Sequence, residues 1–565
     1  MLNIRKISAT SRTYRNLGRY REILTILFKY GFGELIDTLK IEQYLEISLQ
    51  MLFKKQPKNI EKLSRPERIR LVFEELGPTF IKFGQILSTR PDLIPYEYAK
   101  ELEKLQDDVP PFEYNEIRRI IWEDFGQSLD AVFQSFEEKP MAAASIGQVH
   151  RATLGNGEEV VVKVQRPDIR KIIEVDLEIM LHLGYLMERH LEEFEIQNPT
   201  RLVSIFARII EKEINYKIEA SNIERFGRQF LDNPTIYIPK VYHDLTTTHV
   251  ITMEYVKGVK ASEIVTLRNE GYDLVEIADR GAALLMDQFF VQGFFHADPH
   301  PGNILILPDN VICYVDFGMM GRISRRERHD FADLIMYIVR RNEKKVVDVI
   351  LKLVEVRGNV ARSELESDVA ELIDSYLDLP LKHLEVGPIM QQLLEMVSRH
   401  KLCLKPNLYL VVKSAATVEG LGRVLNPDFE IVAHAEPFIK KLQIQRYHPQ
   451  NIAGDLLESG AEMFELMKEI PGEMREILRL TRQGRIKIEF EHRGLEALLT
   501  HLDRTSNRIA FAIVLAAQVI GSALIVLADV PPKWNGIPVI GLLGFLVAVL
   551  MGFWLLISML RHGRL

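Results

Sequence analysis

One short stretch, FFHADPHPGNILILPDNVICYVDFG, carries His296, Asp298, Asn303 and Asp316. Between the last two lie two apolar runs, Ile304–Leu307 and Val311–Val315, separated by Pro308-Asp309-Asn310. This pattern predicts a β-hairpin with a turn at its tip. A hairpin returns the chain, so Asn303 and Asp316 finish at the same end. An amide oxygen and a carboxylate brought together suit Mg2+, which takes hard oxygen ligands and keeps positions for water and phosphate. A buried hairpin with a merely polar loop is the plainer alternative. It leaves the agreement of spacing and order without a cause.

Asp298 and Asn303 stand five apart and Asp316 opens an Asp-Phe-Gly triplet, as in the protein-kinase pattern H-R-D-x-x-x-x-N followed by D-F-G. On that template Asp298 faces the attacking nucleophile. The wording H-x-D-P-H-P-G-N resembles the UbiB family of atypical kinase-like proteins. The lysine usual two residues after the aspartate is His300 here. Small-molecule kinases of the aminoglycoside phosphotransferase and choline kinase type share a His-Pro-Gly-Asn loop. The loop alone therefore indicates a phosphotransferase fold, and other stretches choose the branch.

Three strands should precede it: the first within Val132–Met141, then Val149–Leu154 and Glu159–Val164, the last two joined at Gly155-Asn156-Gly157. Between the first two lies Ala142-Ala143-Ala144-Ser145-Ile146-Gly147. A protein kinase has a glycine-rich loop there, whose backbone closes over phosphates. Alanine is penalised at positive φ, so this cradle should be stiffer and differently shaped. Ala143, Ala144, Ser145, Ile146 and Gly147 are its expected nucleotide contacts, and the alanine-rich wording is again similar to UbiB proteins. Lys163 ends Val-Val-Val-Lys, the place of the phosphate-binding lysine of a kinase strand. A lone strand lysine is more often a solvated edge residue, but one following such a loop reads as a nucleotide contact.

Its partner should be a helical glutamate, and Glu213 and Glu219 are both available. The resemblance assigns Glu219 to Lys163. It assigns Glu213 to a Glu-x-Asp motif facing Lys82 or the metal. This chain departs from that motif at Asn215, which loses a charge. Val250–Gly258 reads as a strand running into a linker, placing Glu254 and Val256 where kinases join their lobes and receive adenine.

Ser64-Arg-Pro-Glu67 is a capping box with Pro in the first turn, and Gly77-Pro78 should break the helix it starts. A second helix should carry Lys82 and Gln85 on one face. From spacing alone these are surface residues. The sequence Lys-x-Gly-Gln, followed by Ser-Thr-Arg-Pro-Asp-Leu-Ile-Pro, resembles the UbiB signature extension. In that family the helix covers the nucleotide pocket where a protein kinase would receive a peptide. Lys82 is expected to pair with Glu213 and to suppress phosphorylation of proteins.

The 565 residues allow two or three domains, and a net charge of −7 argues against a nucleic-acid partner. Cys313 and Cys403 have no metal-site spacing, and they fit small buried residues in a reducing compartment. No secretory signal is apparent. Residues 1–30 hold seven Lys or Arg and one acid, with Leu17, Tyr20, Leu24, Leu27 and Phe28 at helical spacing. Such a helix can lie on an anionic membrane or pack on its own domain, and the far end of the chain favours the membrane. There, Ile509–Ala528 and Ile537–Leu560 carry no charge, and each is long enough to span a bilayer. Arg504, Arg508, Arg561 and Arg564 flank them and predict cytoplasmic ends. Ala517/Gly521 and Gly544/Ala548/Gly552, spaced four apart, should allow close helix contact.

The expected architecture is α+β: a two-lobed protein-kinase-like fold with an N-terminal helical extension and a C-terminal two-helix transmembrane hairpin. Its parts are a basic helical N-terminus (1–60), the extension (61–125), an N-lobe (126–260), a C-lobe with a helical region (261–500) and the hairpin (501–565). The resemblance implies an ATP- and Mg2+-dependent ATPase or phosphotransferase at the bacterial cytoplasmic membrane. It would support isoprenoid-quinone (ubiquinone) biosynthesis through lipid intermediates or quinone-biosynthesis enzymes, with a homodimer as an open expectation. A true kinase of a small molecule or protein and a non-catalytic nucleotide-sensing scaffold are the alternatives.

Overall fold

A computed structural model describes residues 17–39, 63–88, 90, 93–105, 110–191, 198–356, 360–377, 386–400, 402–446, 495–528, 530–534 and 537–562. The chain divides into two units, Met1–Ala453 and Gly454–Leu565. Residues 448–482, whose sequence carries amphipathic helical patterns, and 485–491, which alternate apolar and charged like a short strand, lie outside the described residues.

In the first unit, helix α1 (Leu17–Lys29) buries Tyr20, Ile23, Leu24, Ile26 and Phe28. Helix α2 (Arg65–Leu76) starts at the Ser64/Glu67 capping box, and Gly77, at φ 92°, ends it. Helix α3 (Pro78–Ser88) follows at once. These three share one core with α4 (Ile169–His190) and α5 (Pro199–Glu213). Arg19 pairs with the buried Asp176 at 2.8 Å, and Lys29 pairs with Glu75 at 2.6 Å. The membrane-surface reading of this helix is thereby corrected. Its apolar face is filled by its own unit, because residues far along the chain supply a complementary apolar surface. The same core runs across the boundaries expected near residues 60 and 125.

The first sheet contains β1 (Phe133–Phe136), β2 (Ala142–Ala143), β3 (Gly147–Leu154) and β4 (Glu159–Gln165), with β5 (Ile236–Tyr237) lying elsewhere and β6 (Val250–Glu254) closing it. Its order is β1-β3-β4-β6, with β2 also on β3, and every pairing is antiparallel. The expected first strand is β1, inside the Val132–Met141 window, and the short β2 is an addition within the alanine-rich loop. Pro140 has no N–H for a ladder, so residues 137–141 cross between β1 and β2 as a loop. Strand β4 alternates with period two: Val160, Val162 and Val164 are fully buried, which turns Lys163 to the opposite face. Helix α6 (Tyr216–Gln229) lies beyond α5.

The second sheet runs β5-β10-β9-β7, from β7 (Val259–Lys260), β9 (Ile304–Leu307) and β10 (Val311–Tyr314). Strand β8 (Phe294–His296) pairs with β11 (Met320–Arg322). The expected hairpin is β9–β10, with Ile304 opposite Tyr314. Asp309 (φ 61°) and Asn310 (φ 57°) make its turn, two residue types that tolerate left-handed backbone. Residues 255–258 link β6 of the first sheet to β7 of the second. Helices α7 (Leu274–Met286) and α8 (Pro406–Leu425) pack in the core beneath this sheet, where Val411, Val418 and Leu425 join Ile304 and Ile306. The described residues between 325 and 446 are otherwise mostly helical.

In the second unit, α9 (Leu495–Leu527) and α10 (Val539–His562) pack side by side. Among the described residues one helix segment, Ile509–Leu527, is long and apolar enough to cross a membrane, with mean hydropathy 2.5; Val539–Phe553 is a shorter apolar stretch. The expected Ala517/Gly521 contact is not formed: nothing lies within 4 Å of a Cβ built on Gly521. Ser522 takes that place against Gly544. Its hydroxyl donates to the Gln518 carbonyl at 2.7 Å, so a small polar side chain sits between the helices with its hydrogen bond made.

Candidate functional site

The Lys163 ammonium lies 3.0 Å from both carboxylate oxygens of Glu219, 56 residues away, and 5.2 Å from the centre of the Tyr216 ring. Burial works to lower its pKa, but Glu219 and Asp316 overturn that and raise it well above the ordinary lysine value. At Asp316 burial works to raise the carboxyl. Lys163, the Gly318 amide, which donates at 2.9 Å, and Lys82 outweigh it and hold Asp316 below its usual value. The structure thus brings Lys163, Glu219, Asp316 and Lys82 into one electrostatic cluster.

One face of α6 builds much of this. Glu219 reaches Lys163, the Asn222 amide donates to the Phe317 carbonyl at 3.1 Å, and Phe226 packs edge-on to Phe317 at 5.4 Å. These positions are three and four residues apart, so a single helical stripe serves them all. Phe317 is fully buried, which fixes Asp316 just before it.

His296, also buried, ties the two loops together. Its Nε2 is hydrogen-bonded to the Asp316 carbonyl, and its Nδ1 accepts from the Asp298 N–H at 3.3 Å. The ring stacks on Tyr314 at 5.1 Å. Burial lowers its pKa, so it sits as a neutral imidazole. Asn303 follows a turn capped by His300, whose Nδ1 accepts from the Gly302 N–H at 3.2 Å. Val315 N–H donates to the Asn303 carbonyl at 3.1 Å, closing the hairpin end beside Asp316. Among the described residues no protein group hydrogen-bonds the Asn303 side-chain amide. Nor do the described residues hold any cluster of three or more His, Cys, Asp or Glu. One amide oxygen and one carboxylate at a hairpin end fit a hard cation that draws its other ligands from water and phosphate.

Across the site, Lys82 of α3 pairs with Glu213 at 2.6 Å. Gln85 turns instead to its own extension, donating to the Leu105 carbonyl at 3.2 Å. Asn215 is the N-cap of α6, accepting from the Lys217 N–H at 3.2 Å. In the alanine-rich loop no residue has positive φ. Ala143 pairs with Gln148, Ala144 N–H donates to the Gly147 carbonyl at 2.8 Å, and Ile146 is buried in the core shared by α1 to α5. Gly147 is required by proximity: a Cβ there would meet the Val164 carbonyl at 2.5 Å, and the Tyr216 hydroxyl is closer still. The Ser145 hydroxyl is fully buried and has no hydrogen-bond partner among the described residues. At the link between the sheets, the Glu254 carboxylate accepts from Tyr237 O–H at 2.7 Å and from Lys240 N–H at 3.1 Å. The Glu254 carboxylate is thereby engaged within the protein. Cys313 is a buried thiol whose pKa burial raises to about 12.

Two residues at the site were not legible in the sequence. Tyr216 stands between Lys163 and Gly147. Lys413 of α8 lies 3.3 Å from Asp298 Oδ1, 115 residues from it. No local motif surrounds Lys413 that could have marked it.

Known proteins resemble this chain. The ABC1 atypical kinase-like domain matches residues 104–350, the UbiB helical domain 369–430 and the ABC1/UbiB kinase-like C-terminal domain 493–561. A Clostridium pasteurianum protein, "Uncharacterized protein in hydrogenase 1 5'region", is 36% identical over 97% of this chain and 99% of its own length. The "Probable protein kinase UbiB" of Cellvibrio japonicus is 34% identical over 80% of this chain and 82% of its own. That of Aeromonas salmonicida is 34% identical over 83% and 87%. Among solved structures, the complex of Rv3197 with erythromycin from Mycobacterium tuberculosis is 26% identical, covering 65% of this chain and 94% of its own, with a TM-score of 0.46. With its kinase-like mixed helix and sheet, three matching domain models and relatives matched along most of their length, the chain belongs to the ABC1/UbiB family of atypical kinase-like proteins.

Proposed function

We propose that the protein is a membrane-anchored ATPase or phosphotransferase that uses ATP and Mg2+ and supports isoprenoid-quinone biosynthesis. One observation carries the chemistry: Lys163, Glu219 and Asp316 form a single buried charge cluster, and the hairpin bonds Asn303 to the residue before Asp316 while no described group hydrogen-bonds the Asn303 side chain. Lys163, oriented by Glu219, binds phosphate oxygens. Asp316 and Asn303 hold the cation, which neutralises the charge that develops on the transferring phosphoryl group. Ser145 offers its buried hydroxyl to the nucleotide, and Ala143, Ala144, Ile146 and Gly147 shape the cradle. The linker backbone at Glu254 and Val256 receives adenine. Asp298, with a side chain 40% exposed, orients the acceptor or attacking water and takes its proton.

The extension favours hydrolysis or a small or lipidic acceptor over an outside polypeptide, because Lys82 of α3 pairs with Glu213 while its charge acts on Asp316. Membrane anchoring rests on the second unit. Ile513, Ile520, Leu524, Leu546, Val549 and Leu550 are each more than half exposed there, a surface suited to hydrocarbon. The quinone role, with lipid intermediates and biosynthetic enzymes as partners, rests on the family.

Asp316→Asn tests the chemistry. It should abolish Mg2+-dependent ATP turnover while the protein stays folded. Unchanged turnover at limiting Mg2+ would remove Asp316 from the metal site. Full-length protein recovered in a detergent-free high-speed supernatant would remove the anchor.

A further inference from the structure

The loop carrying Asp298 has His300, not lysine, two residues on, and the His300 ring is engaged as the cap of the Gly302 turn. The loop therefore brings no cation of its own to Asp298. The structure supplies one from elsewhere. Lys413 of α8 places its ammonium 3.3 Å from Asp298 Oδ1, and among the described residues Asp298 is the carboxylate it pairs with. No protein group bonds the other oxygen, Oδ2, among those residues.

Lys413 is not a surface lysine that happens to reach inward. Its side chain is 24% exposed, and its helix is fixed on both sides of it. One turn earlier, the Tyr409 hydroxyl donates to the carbonyl of Ser88, the last residue of α3, at 3.2 Å. The next residue, Ser414, is fully buried, and its hydroxyl lies 2.8 Å from the Leu410 carbonyl of its own helix, 3.1 Å from the Ala297 carbonyl and 3.2 Å from that of His296. The helix thus packs directly against the backbone immediately before Asp298 and presents the ammonium to the carboxylate from a set direction. Glu103 lies within the influence of the same charge: burial pushes its carboxyl up, and Lys413 opposes that.

We propose that Lys413 is a positioning residue for the reaction. It holds Asp298 Oδ1 and so aims the free Oδ2 at the acceptor hydroxyl or water. It thereby supplies, from a helix far along the chain, the cation that the loop itself lacks. The inference rests on the proposed role of Asp298 as the group facing the acceptor.

The test compares Lys413→Met and Lys413→Arg in the full-length protein in detergent, with ATP and Mg2+ and release of phosphate as the readout. Lys413→Met should lower kcat at least tenfold with KM for ATP within twofold of wild type and an unchanged melting transition. Lys413→Arg, which keeps a cation within reach, should recover most of the loss. In a double-mutant cycle with Asp298→Asn, Lys413→Met should cost less than twofold more, because its target has already lost its charge. Turnover unchanged or raised by Lys413→Met, or losses that multiply in the double variant, would overturn the proposal while leaving Asp298 in place. Full turnover by Asp298→Asn alone would overturn the reading of Asp298 and the proposal with it.

Discussion

Glu219→Gln probes the pair at the centre of the site. The substitution keeps size and shape and removes one charge. Glu219 has a side chain only 6% exposed, and Lys163 is 21% exposed, with both contacts at 3.0 Å. Breaking a buried ion pair from one side costs about 3–5 kcal/mol, because the remaining charge is left desolvated. Here the cost belongs at the low end, about 3 kcal/mol, since Asp316 still acts on Lys163. If a similar share is lost in the transition state, turnover falls roughly 100-fold, each tenfold being about 1.4 kcal/mol. The assay is ATP turnover beside thermal unfolding of the same sample. Nucleotide should stabilise the variant more than the wild type, because phosphate then supplies the missing negative partner. A variant within twofold of wild type in turnover, with an unshifted melting transition, would refute the idea that Glu219 orients Lys163.

Three further outcomes follow from particular contacts. Gly147→Ala should destabilise the folded protein by about 1–3 kcal/mol and weaken ATP binding, because the new Cβ meets the backbone carbonyl of Val164, which has no room to move; chemical denaturation and nucleotide titration read both. Lys82→Met should change ATP affinity and autophosphorylation together while outside peptides remain poor substrates, because the body of α3 stays in place; titration and labelled ATP test this, and no change in either would count against a covering role. His296 has a depressed pKa in the fold, so the unfolded chain binds its proton first. Its contribution to stability is present above about pH 6.5 and is lost as pH falls towards the folded value. His296→Gln should flatten that part of the melting-temperature profile between pH 7.5 and 5.

Much of the site was legible because its signals are local. The β9–β10 hairpin, its Asp309-Asn310 turn, the Ser64/Glu67 cap and the break at Gly77 each depend on a few neighbouring residues and on backbone sterics. Strand alternation likewise set Lys163 opposite three buried valines. The loss of a ladder N–H at Pro140 is equally local, and β1 ends short of it.

What the tertiary structure alone decided is which distant surfaces meet. An amphipathic helix such as α1 carries one apolar stripe, and the stripe is the same whether lipid or protein covers it. Only the presence of α4 and α5 nearby determined that protein does. In the C-terminal pair, four-residue spacing of small residues permitted two faces of α9, and packing selected Ser522 over Gly521. The choice of Glu219 over Glu213 for Lys163 needed the family or the fold, since both glutamates precede the same linker. Lys413 meets Asp298 across 115 residues with no motif around it. Periodicity reports which face of an element is apolar, but the partner of a lone charge is fixed by how whole elements pack.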